Sequence, residues 1–188
     1  MDALTHNIEA LLSKGYHPMA DAIALGGIRL IAESLERAVK DGADIEARGA
    51  MALAAAMGAT AFQKGLGVIH SLAHPCSTIA KVHHGLANGV LIETGMRFNR
   101  DVSETAMARI ALEVGIRGDN DAILADKAIE WVAQLRESVG IPGRLSAVGV
   151  DESMLSEMDQ QAFLDGCHQS NPKAVSQDDI IRLYREAL

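Results

Sequence analysis

The residues with the most chemistry to offer lie in two separated groups. Four of the seven histidines fall between His70 and Asn88, in the stretch H-S-L-A-H-P-C-S-T-I-A-K-V-H-H-G-L-A-N. His70 and His74 are four apart and share one face of a helix. Asp2 and His6 show the same spacing near the start of the chain. Neutral imidazoles with a carboxylate suit a divalent first-row metal. Asp2 and His6 can chelate from one helical turn. His70, from a helix, and His84, from the loop beyond Pro75, can close such a site. His74 is either a further ligand or an imidazole one layer out, where it would hydrogen-bond a water or a substrate oxygen. Pro75 reads as a break in the helix and Gly85 as a turn residue.

Positioning these groups falls to helices. Ala3–Lys14 carries Leu4, Ile8, Leu11 and Leu12 on one face. Pro18 suits the first turn of a long second helix reaching Lys40. Its apolar positions cover more than one stripe, which predicts a central place in a bundle. Asp44 caps a third helix reaching Phe62, rich in small residues and expected to be buried. Lys64-Gly65-Leu66-Gly67 is a glycine break without the strand or third glycine of a dinucleotide fingerprint. Further helices are predicted after Gly85 to about Arg97, and over Glu104 to Leu112, Asp121 to Val139 and Ser153 to Cys167. Ser176 with Asp179 reads as the cap of a last one. With no strand evident, the expected fold is an all-α, compact multi-helix bundle of about seven to nine helices in one domain, residues 1–188.

Composition supports that reading and excludes several classes. The chain is 48% hydrophobic but only 3% aromatic, which favours close-packed helices over a β-sandwich. A net charge of -8 with dispersed acids argues against a nucleic-acid partner, and no polybasic run suggests a membrane surface. The longest uncharged apolar-rich run, Gly49 to Gln63, is shorter than the ~20 residues a membrane span needs. No secretory signal is expected from M-D-A-L-T-H-N-I-E-A. Cys76 and Cys167 are isolated thiols, which points to a reducing cytoplasm.

Several of these residues also carry a family resemblance. G-L-G-V-I-H-S-L-A-H-P followed by H-H-G-L-A-N resembles the signature of the iron-containing (group III) alcohol dehydrogenases. D-A-L-T-H-N-I-E-A resembles that family's D-x-x-x-H-x-x-E segment. Asn99, the Asp44–Arg48 run and Asn171-Pro172-Lys173 match further landmarks, so the resemblance covers essentially the whole chain. It implies the family's dehydroquinate synthase-like α-domain. It also implies Asp2, His6, His70 and His84 as ligands of one divalent metal ion, Fe(II) by family or equally Zn(II). His74 is then the catalytic, non-ligand imidazole. Ser77, Glu93 and Gly95 depart from the pattern, and His83 matches no family role.

Family members begin with a nucleotide-binding α/β half that these residues do not include. NAD(P) is therefore not expected to bind this chain alone. A metal with open positions lowers the pKa of bound water from about 16 toward ~7. The expected activity is thus metal-dependent hydrolysis of small activated esters, lactones or phosphoesters by metal-bound hydroxide, with His74 assisting. The alternatives are the C-terminal half of an NAD(P)-dependent alcohol or aldehyde oxidoreductase, or an inactive metal-binding fragment. The face left open by the absent half is expected to drive homo-oligomer formation.

Overall fold

A computed structural model describes residues 1–188 as nine α-helices joined by loops and short 3-10 segments, with no strand. They are α1 (Asp2–Leu12), α2 (Pro18–Lys40), α3 (Ile45–Ala61), α4 (Val68–Thr78), α5 (His84–Asn99), α6 (Glu104–Glu113), α7 (Asp121–Ser138), α8 (Leu155–Leu164) and α9 (Gln177–Ala187). The all-α bundle expected from the sequence is the architecture observed. No single helix is long and apolar enough to cross a membrane.

The innermost helices are α1, α4 and α5. Buried residues lie all round α1, from Leu4 and Ile8 to Asn7 and Glu9. In α4, every position from Val68 to Cys76 is buried except His74. This differs from the expected central place of α2, which buries a single stripe comprising Ala24, Gly27, Ile28, Ile31 and Leu35. It differs too for α3, whose buried residues are only Ala47, Ala54, Gly58 and Ala61. Small size, rather than burial, explains the alanines of α3: they let it lie close on α1 and α2 while its outer face stays exposed.

Pro75 does not end its helix. It sits inside α4, and the Ile79 amide still donates to the Pro75 carbonyl at 2.9 Å. The chain then reverses through Lys81, the only non-glycine residue with positive φ (60°). Lys81 Nζ donates to the Thr78 carbonyl at 2.7 Å. The next helix starts earlier than predicted: His84 is its first residue, exposed His83 its N-cap, and Gly85 is helical. Gly85 serves a close approach, since a Cβ there would lie 3.0 Å from Asp2 Cβ.

The predicted helix over 153–167 is likewise divided. Asp165 adopts an extended conformation (φ -70°, ψ 133°) between α8 and a 3-10 turn, Gly166–Ser170. The Asp165 carboxylate offers the backbone a rival partner, accepting from the Cys167 amide at 2.8 Å. The predicted capping box of α9 forms between Ser176 and Asp179.

Candidate metal centre

The start of α4 is built as a rigid platform. A buried helix N-terminus leaves amides that need partners. Here distant side chains supply them. Asn171 Oδ1 accepts from the Val68 amide at 3.1 Å, and Glu9 Oε1 from the Ile69 amide at 2.6 Å. Gly67 leaves the room both need, since a Cβ there would lie 2.8 Å from each acceptor oxygen. Asn99 locks Asn171 through reciprocal amide bonds of 2.9 and 2.7 Å.

Glu9 also reaches the first histidine. His70 Nδ1 donates to Glu9 Oε2 at 2.6 Å, with both side chains almost wholly buried. That bond fixes the tautomer, so His70 Nε2 presents a lone pair. His6 Nε2 lies only 3.1 Å from it. His84 Nε2 stands 3.7 Å from Asp2 Oδ1, and the Asp2 carboxylate receives Asn88 Nδ2 at 2.7 Å. Ligand atoms of Asp2, His6, His70 and His84 all fall within 4.8 Å of one another. Tetrahedral coordination at ~2.0–2.1 Å places donors about 3.3 Å apart. Two imidazole nitrogens converging at 3.1 Å beside a carboxylate fit a cation between them. Burial pushes the pKa of His6 down, and neighbouring His70 adds to it. Burial pushes His84 down too, against the opposing pull of Asp2. Both shifts favour the neutral ring, the form a metal takes.

The predicted residues therefore meet, with one change of element: His84 comes from the first turn of α5, not from a loop. His74 stands beside the four rather than among them. Its ring stacks on His84 with centroids 5.3 Å apart and planes at 17°. His74 Nδ1 is 2.7 Å from Asp165 Oδ2. Ligand atoms of His74, Asp165 and Cys167 also lie close together, but the 2.7 Å contact is a hydrogen bond. Burial and neighbouring Asp165 push the Cys167 thiol up to about 12, so it is no ready thiolate. Burial does the same to Cys76, which disfavours it as a nucleophile.

Three contributors were outside the histidine pattern. Glu9 and Asn88 lie within the quoted motifs, and their helical spacing from His6 and His84 was the available signal. Asp165 had none, being 91 residues from His74. Glu93 pairs with Arg97 at 2.9 Å and Arg136 at 3.3 Å, nine residues and so half a rotation of α5 from His84.

This helical domain and its converging donor set define a class. The family model described as "Fe-containing alcohol dehydrogenase family, C-terminal" matches residues 1–188, and the chain belongs to that family. Among curated relatives, NAD-dependent methanol dehydrogenase of Bacillus methanolicus is 38% identical over 191 residues, covering 100% of this chain and 50% of the relative. 1,3-Propanediol dehydrogenase of Klebsiella pneumoniae is 37% identical over 190 residues, covering 100% and 49%. A crystal structure of 1,3-propanediol oxidoreductase superposes with a TM-score of 0.96 at 37% identity, covering 100% of this chain and 50% of the other. The chain thus spans about half the length of the relatives it matches, and corresponds to their C-terminal half.

Proposed function

We propose that this chain is the metal-holding half of an NAD(P)-dependent oxidoreductase acting on small alcohols and aldehydes, with an α/β nucleotide-binding half completing the active site. The observation that carries this reading is the convergence of Asp2, His6, His70 and His84 in a chain whose dehydrogenase relatives match it along its full length. When bound, a divalent metal supplies Lewis acidity toward an alcohol or carbonyl oxygen. Asp2, His6, His70 and His84 would hold it. Glu9 keeps the His70 lone pair directed inward, and Asn88 orients Asp2. His74, partly exposed beside them, exchanges a proton with the substrate oxygen. The expectation of ester, lactone or phosphoester hydrolysis finds no support in the relatives named above, each of which is named for alcohol oxidoreduction.

Elemental analysis of the chain loaded with Fe(II) or Zn(II) tests the centre. The expected content is one ion per chain, with occupancy lost in His70→Ala and His84→Ala. Unchanged occupancy in both variants would overturn the assignment. Joined to a nucleotide-binding half, the chain should support nicotinamide turnover with small aldehydes. A chelator-sensitive esterase activity without such turnover would favour hydrolysis instead.

A further inference from the structure

Beyond its part in ending α8, Asp165 has a geometry that the metal centre does not require of it. Its Oδ1 accepts from the Ser71 hydroxyl at 2.9 Å and the Cys167 amide at 2.8 Å. Ser71 Oγ itself accepts from the His168 amide at 2.9 Å, which directs its own proton toward Asp165. A backbone amide can only donate, so this side of the carboxylate is committed to accepting. Burial opposes ionisation of Asp165, but the bonds from His74, Cys167 and Ser71 prevail and bring its carboxyl down to about 2. The remaining oxygen, Oδ2, faces His74 Nδ1 at 2.7 Å. An ionised carboxylate has no proton to give, so the proton of that bond belongs to Nδ1.

We propose that Asp165 is the positioning residue of His74, holding its imidazole as the Nδ1–H tautomer and leaving the Nε2 lone pair free beside the metal centre. This rests on the role given to His74 above. Without Asp165 a neutral imidazole on the partly exposed end of α4 would sample both tautomers and several ring orientations. With it, Nε2 is a fixed acceptor for one chemical group, the hydroxyl of an alcohol or of an intervening water. Transfer breaks the O–H bond and forms Nε2–H, and the resulting imidazolium keeps its Nδ1–H bond to an anion. In the reverse direction Nε2–H returns the proton to oxygen, restoring the neutral ring. Asp165 takes up no proton in either direction.

The test reads the tautomer directly, by long-range 1H–15N correlation of the histidine rings in the metal-free chain at a pH where they are neutral. In the wild type, His74 should show a protonated Nδ1 and an unprotonated Nε2. Asp165→Asn should reverse the pattern. Its amide oxygen is claimed by the Cys167 amide and the Ser71 hydroxyl, which leaves the NH2 group donating to Nδ1. Asp165→Ala should give the averaged signals of a free imidazole, and Ser71→Ala should keep the wild-type tautomer. A wild-type His74 protonated at Nε2 or averaging between forms would overturn the proposal, as would an unchanged tautomer in a folded Asp165→Asn. Should that variant not fold, the wild-type spectrum alone decides. Because no metal or nucleotide is used, failure here is distinct from failure of metal binding or turnover.

Discussion

At the scale of single residues, Glu9 joins stability to metal binding. Its carboxylate accepts from the Ile69 amide, the His70 amide (3.4 Å) and His70 Nδ1, all in a buried setting. Every neighbour is a donor. Glu9→Gln keeps the volume but brings an NH2 group against one of them. The expected loss is about 1–3 kcal/mol in denaturant unfolding. Metal affinity should fall 10–100-fold, as for other carboxylates that support a ligand histidine. A stable variant binding metal as tightly as wild type would show that His70 needs no such support. The spacing of Asp2/His6 and His70/His74 marked two clusters, but the donor set, with His84 included and His74 left out, came from the family resemblance. Asp165 was not legible, because its role depends on a tertiary approach between α8 and α4 that no local spacing records. The place of Pro75 was illegible for a related reason. Its propensity to end a helix is a local penalty, and α4 is held from outside by Asn171 and Glu9.

At the scale of elements, α9 offers a separable test. Ser176 accepts from the Asp179 amide at 3.2 Å, and Asp179 Oδ2 accepts from the Ser176 amide at 3.0 Å. The Ser176 hydroxyl and Arg182 further hold the Asp179 carboxyl down to about 2, below its ordinary 3.8. A depressed folded value means that the contribution is full above the ordinary pKa and is lost as pH falls through the folded one. The cap therefore holds at neutral pH and fades between about pH 4 and 2. Asp179→Ala should cost about 1 kcal/mol at neutral pH. The difference from wild type should shrink across that acid window, as followed by urea midpoints at stepped pH. A gap independent of pH would assign the stabilisation to packing of Ile180, Leu183 and Tyr184 instead. This cap was readable because all its partners lie within four residues. The inner and outer ranks of α1, α2 and α3 were not. The apolar pattern of α2 and the alanines of α3 suit a buried helix and an outer one alike, and only the tertiary arrangement decides.

At the scale of the whole molecule, the centre ties together segments with unequal support. The first turn of α4 has distant caps on its amides, whereas α1 begins without a side-chain cap. Asp2 is 40% exposed while His70 is 1% exposed. A bound ion would therefore add little order to α4 and much to the beginning of α1, which it would clamp onto α4 and α5. At a free-metal concentration of 100 times Kd, the folded state gains about 2.7 kcal/mol, so Tm should rise by roughly 5–10 °C and fall back with a chelator. Amide exchange gives this gain an address. Metal should slow exchange across the first half of α1 and at the start of α5. It should leave the amides of Val68, Ile69 and His70 nearly unchanged, because they are already bonded within the metal-free fold. Slowing spread evenly over all nine helices would mean that the ion stabilises the molecule only globally. Slowing confined to α4 would mean that the platform is made by the metal rather than waiting for it.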